Sequence, residues 1–129
     1  YIKSHDGWGE YRTETVFYES YENNDKRKTH LLVDKIYNED GTVKAEWTPT
    51  GGAIPYPFCR KFIDPKFDGD KTSTRPYLIR YSEIALAYAE AAGPTSEAYS
   101  AVNFMRNRAG LGNLPAGLNS TDFREAVYK

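Results

Sequence analysis

Three groupings in this 129-residue chain have the residue types for chemistry. His5-Asp6 with Glu10 brings one imidazole and two carboxylates close in sequence, the donors a divalent metal takes. The same closeness is ordinary in a polar loop, and His30 stands alone at what reads as a strand edge. Cys59 is followed by Arg60 and Lys61, whose charge favours a thiolate, but it has no defined His partner; inert packing is the competing reading. The 18 acidic residues stand in no spacing of a paired-carboxylate hydrolase. The expectation is a protein that is not an enzyme, with no metal and no cofactor.

The aromatic residues carry the stronger signal. Aromatics make up 15% of the chain, with 11 Tyr, 6 Phe and 2 Trp. A sugar ring offers an apolar C–H face and a rim of hydroxyls. A Trp or Tyr plane covers the first, and Asn, Asp or Arg side chains bond the second. Trp8, Tyr11, Trp47 and Tyr56 lie in loop-like sequence, where side chains are often exposed, and are the candidate ligand-binding residues. For each, the bland alternative is a local hydrophobic clamp. Trp8 or Trp47 is expected to be at least partly open to solvent. Tyr81 and Tyr88 fall on a helix face and read as core. Arg80, Glu83, Arg106 and Arg108 suit an anion site or, on packed helices, a structural ion-pair network. Asn103 reads as a helix–helix hydrogen bonder. Asn119-Ser120-Thr121 matches a glycosylation acceptor, although Ser120 or Thr121 as a helix cap is the better reading.

The elements that hold these residues change character near Thr74. Residues 1–74 contain most of the aromatics and read as a loop-rich segment with short strands; residues 75–129 contain most of the alanines and read as helical. In the first segment, Phe17 and Tyr21 are four apart, which allows a short helix within Glu14–Glu22 that Asn23-Asn24-Asp25 ends. Leu31 to Tyr37 reads as a strand, Asn38-Glu39-Asp40-Gly41 as a hairpin turn and Thr42 to Trp47 as the returning strand. Prolines crowd the stretch from Pro49 to Pro76, which leaves room for a short edge strand over Phe58 to Ile63. In the second segment, Tyr77 to Ala92 reads as a helix behind Pro76. Tyr81, Ile84, Ala85, Tyr88, Ala91 and Ala92 form its apolar face. Gly93-Pro94 ends it. Thr95 or Ser96 caps the next helix, whose stripe is Ala98, Ala101, Val102, Met105 and Ala109, and Gly110 stops it. So short a connection makes a helical hairpin. A third helix follows Ser120.

The fold class expected is mainly α: a tetratricopeptide-like helical hairpin plus a third helix, with a loop-rich part containing a few short strands. The two segments are expected to be one part of a larger single domain. The charges nearly cancel, 17 basic against 18 acidic, which argues against nucleic-acid binding through bulk charge. The longest apolar run, Ile84 to Ala89, is too short to cross a bilayer. One cysteine excludes an internal disulfide.

The string RPYLIRYSEIALAYAEAAG, then AYSAVNFMRNRAGL, resembles a segment of the SusD/RagB family, the outer-membrane nutrient-binding lipoproteins of Bacteroidetes-type bacteria. The residues that carry the resemblance are Arg80, Tyr81, Glu83, Tyr88, Ala89, Glu90, Ala91, Asn103, Arg106, Arg108, Ala109, Gly110 and Leu111. Upstream, YESYENNDKRK is similar to the family's acidic-aromatic segment, with Asp25 and Arg27 as its Asp-x-Arg. The resemblance implies a non-catalytic, glycan-binding surface lipoprotein. It would face outward from the outer membrane and deliver oligosaccharides to a SusC-type TonB-dependent transporter. The lipid anchor and the segment that follows the family's third helix are absent here, so the chain is expected to be an internal to C-terminal fragment. The alternative is a tetratricopeptide-type protein-interaction module without a small-molecule site, which a regular repeat array in the full gene would favour.

Overall fold

The computed structural model describes residues 12–61, 64–68 and 71–129. The chain divides into two compact units. The first is built from residues before Asn23 together with Arg27–Thr74, and the second from Asn23–Lys26 with Arg75–Lys129.

In the first unit, α1 (Thr15–Glu19) is the short helix that the Phe17/Tyr21 spacing suggests. The segment from Leu31 is not one strand. Helix α2 (Lys26–Leu31) takes up Leu31, and with it His30, which sits in a helix rather than at a strand edge. Then β1 (Leu32–Val33) and β2 (Lys35–Tyr37) flank Asp34. The chain changes partner there: β2 pairs antiparallel with β3 (Val43–Glu46), and β1 pairs antiparallel with β4 (Phe58–Cys59). Asp34 serves the changeover, because its carbonyl accepts the Trp47 N–H at 2.8 Å and its carboxylate accepts the Tyr18 hydroxyl at 2.6 Å.

The β2–β3 turn forms where expected. The Asp40 carboxylate accepts the Thr42 N–H at 2.9 Å and its hydroxyl at 2.6 Å, and Gly41 takes φ +83°. Both features belong to the turn chemistry of Asp and Gly. Further on, a Cβ at Gly52 would lie 2.3 Å from the Glu46 carbonyl oxygen, so only glycine lets the chain fold back there.

In the second unit, α3 (Tyr81–Ala92) starts four residues later than the composition suggests. The reason is the cap. The Glu83 carboxylate reaches back to the Arg80 N–H at 3.0 Å and pairs with the Arg80 guanidinium at 3.2 Å, which fixes Arg80 as the residue before the helix. Tyr77, Leu78 and Ile79 are exposed, so a longer helix would gain no burial.

The helix phase also differs from expectation. Ala89 is fully buried, with Leu86 and Ala92 packed beside it, whereas Tyr81, Ile84 and Tyr88 are 79%, 57% and 51% exposed. The buried face is turned by about one residue, roughly 100°. Small residues win the contact, because alanine lets helices approach closely where a tyrosine would hold them apart.

Helix α4 (Ser96–Arg108) begins as read: the Thr95 hydroxyl accepts the Ala98 N–H at 3.3 Å. Ala98, Val102 and Ala109 are buried, while Ala101 and Met105 are only half-buried. Gly110 ends the helix at φ +82°; there a Cβ would meet Lys26 Cε at 2.9 Å. Helix α5 (Ser120–Tyr128) is capped by Asn119, not by Ser120 or Thr121; the Asn119 side chain accepts the Asp122 N–H at 2.9 Å. A carbonyl oxygen one residue earlier reaches the free N–H of the first turn, which leaves both hydroxyl residues inside the helix. Phe123 is fully buried and centres the core formed by Ala89, Ala98, Val102 and Val127.

Residues 23–26 are tied in here: the Lys26 N–H donates to the Ala109 carbonyl at 2.8 Å, and Asp25 is 1% exposed.

Candidate functional site

The four aromatic candidates separate. Trp8 and Tyr11 lie outside the described residues, as do His5, Asp6 and Glu10. Trp47 is 8% exposed, so the expectation of an open ring there is corrected. Its ring meets Tyr18 edge-on at 4.8 Å, and Lys28 Nζ covers Tyr18 from 4.3 Å. Burial, and after it the Asp34 hydrogen bond, pushes the Tyr18 phenol well above its usual range, so it stays a neutral donor. This cluster packs and presents no open aromatic plane at Trp47.

Tyr56 is half-buried at the edge of an open strip. Pro57, fully buried, anchors the chain between Tyr56 and Phe58. Alternation then turns both rings to one face, where their centroids lie 5.1 Å apart in an edge arrangement. Phe58 is 39% exposed. The strand is held by pairing of Phe58 with Val33 and of Cys59 with Leu32. One further rung, from the Arg60 N–H to the Leu31 carbonyl at 2.7 Å, continues the ladder. By the same alternation Arg60, exposed, falls on the face of Phe58. At the other end, the Arg12 guanidinium lies over the Tyr56 ring, 5.1 Å from its centroid. The strip therefore runs guanidinium, aromatic, aromatic, guanidinium.

Of these, Phe58, Arg12 and Arg60 were not singled out from sequence as ligand contacts. The Tyr56-x-Phe58-x-Arg60 alternation is the signal that could have found Phe58 and Arg60. Arg12 is brought in by folding alone. A smaller aromatic pair, Phe17 and Tyr21 at 5.3 Å with Arg27 over Tyr21 at 5.6 Å, repeats the motif at α1.

Of the polar candidates, Arg80, Glu83, Arg106 and Asn103 have structural partners, and so does Asp64, which is not singled out from sequence. The Asp64 carboxylate accepts the N–H groups of Lys66 and Ser73 at 2.8 and 2.6 Å, and the hydroxyls of Thr72 and Ser73, each at 2.9 Å. These bonds, the backbone ones first, hold its pKa far below the usual carboxylate range; Asp64 organises its loop and is no proton donor. Arg106 Nε donates to the Gly112 carbonyl at 2.8 Å, and the Asn103 carbonyl accepts the Leu114 N–H at 2.8 Å. Asn103 thus ties down a loop rather than a second helix. Among the described residues, no three His, Cys, Asp or Glu side chains come together as metal donors, and Cys59 is exposed.

The SusD family model matches residues 9–129, and the chain belongs to that family. Two solved structures share the fold. A SusD superfamily protein from Parabacteroides distasonis ATCC 8503 superposes with a TM-score of 0.69 at 24% identity, over 91% of this chain and 27% of that one. Surface glycan-binding protein A from Bacteroides uniformis superposes with a TM-score of 0.57 at 22% identity, over 97% of this chain and 28% of that one. The chain thus spans little more than a quarter of either. No curated protein matches the sequence. The helices and few short strands agree with the mainly α fold of these relatives. No described helix is long and apolar enough to cross a membrane.

Proposed function

We propose that this chain is part of a non-catalytic, glycan-binding surface lipoprotein. It faces outward from the outer membrane and passes oligosaccharides to a SusC-type TonB-dependent transporter. Membership of the SusD family over residues 9–129 carries the reading. The glycan-binding name of the Bacteroides uniformis relative supports it. So does the open Tyr56–Phe58 strip, which offers apolar planes of the kind a sugar face covers. Trp8 and Tyr11 remain proposed ligand contacts together with Tyr56, while Trp47, buried, packs against Tyr18. Residues 1–74 and 75–129 together form part of a larger domain.

The second reading, a helical interaction module, has one observation in its favour. Tyr81, Ala85, Ala101, Phe104 and Met105 line an apolar groove in the second unit.

Incubation of the full-length protein with plant and host polysaccharides separates the two. The proposal expects retention of at least one glycan with no release of reducing ends. Retention of none, or release that survives repurification, overturns it.

A further inference from the structure

The polar groups at the ends of the aromatic strip are both guanidiniums, which can donate to a sugar hydroxyl but cannot accept from one. A neutral sugar needs both donors and acceptors for its hydroxyl groups. Arginine offers five N–H donors and no acceptor. The Arg12 guanidinium lies over Tyr56, 5.1 Å from the ring centroid, in a cation–π contact that leaves its N–H donors for a further partner. Among the described residues, neither Arg12 nor Arg60 has a carboxylate partner, unlike Lys35 with Glu46 or Arg80 with Glu83. Two guanidiniums without a carboxylate partner among the described residues therefore flank two adjacent rings, in a chain whose net charge is only -1.

We propose that the Arg12–Tyr56–Phe58–Arg60 strip takes an acidic glycan segment, a sugar chain that bears uronate carboxylates. The proposal rests on the glycan-binding reading above and names the class of glycan. A sugar face lies on Phe58, the more exposed ring, beside the Tyr56 that Arg12 covers, and the carboxylates meet the guanidinium forks, whose planar donor pairs match a carboxylate in geometry. The two rings are 5.1 Å apart and Arg60 follows Phe58 by two residues, so the three groups meet neighbouring parts of one extended ligand.

The test is calorimetry on full-length protein with oligogalacturonides and oligoalginates, each beside its carboxyl-reduced form. A uronate oligosaccharide should bind roughly tenfold more tightly than its reduced counterpart, since exposed charge pairs each contribute modestly. That advantage should shrink at high salt. Arg12→Gln with Arg60→Gln should abolish it, and Arg12→Lys with Arg60→Lys should keep part of it. Binding of reduced forms as tight as that of uronate forms, indifferent to the glutamine pair, overturns the acidic class and leaves glycan binding standing. Binding of neither kind also overturns the acidic class, and retention of no member of the polysaccharide panel is what overturns glycan binding.

Discussion

The phenol oxygen of Tyr99 accepts the Leu118 N–H at 3.0 Å, across nineteen residues of chain. The same ring packs against Phe123 at 4.8 Å. One turn on, Asn103 accepts the Leu114 N–H, and a turn further Arg106 donates to the Gly112 carbonyl. Steps of four and three place all three side chains on one stripe of α4, and that stripe fastens the loop leading to α5. Tyr99→Phe keeps the ring and leaves a part-buried N–H unanswered. It should cost about 1–3 kcal/mol by chemical denaturation. An unchanged midpoint would mean that solvent replaces the phenol freely.

Ala98 tests the helix contact. It is fully buried in the cluster with Ala89 and Phe123, so Ala98→Leu should overpack the site and cost roughly 1–3 kcal/mol. A urea midpoint equal to the parent's would place Ala98 outside the core. Tyr88→Ala, in contrast, should cost little, because Tyr88 is 51% exposed.

Asp64 gives a pH dependence. Its folded pKa is depressed by the four hydrogen bonds from Lys66, Thr72 and Ser73, and its unfolded value is ordinary, about 3.9. A depressed carboxylate stabilises the fold fully above the unfolded value and loses that contribution as pH falls through the folded one. Asp64→Asn should therefore lie below the parent in stability at neutral pH and converge with it as pH drops below about 4. A gap that stays constant with acidification would contradict the account.

Local chemistry was legible in the sequence. Thr95 caps α4, Gly110 ends it and Asn38–Gly41 turns a hairpin because each effect acts within a few residues. The phase of α3 was not legible, since Tyr81 and Ile84 are as apolar as Ala89, and only the approach of α4 decides which face closes. Trp47 lay in loop-like sequence, yet Tyr18, Asp34 and its own backbone bond fold it inward. Arg12 and Tyr56 are far apart in sequence, so no local pattern could pair them. Family membership was legible because the Arg75–Leu111 stretch combines caps, loop anchors and small packing residues at fixed spacing.

The central claim is that the open aromatic pair contacts a glycan. It is tested most directly by calorimetry on full-length protein, comparing the parent with Tyr56→Ala and Phe58→Ala against the glycan retained most strongly from a polysaccharide panel. Loss of a stacking plane should weaken binding by about 1–2 kcal/mol per ring, roughly five- to thirtyfold, with the thermal midpoint nearly unchanged for Phe58→Ala. If both variants bind as tightly as the parent, the strip is not the glycan site.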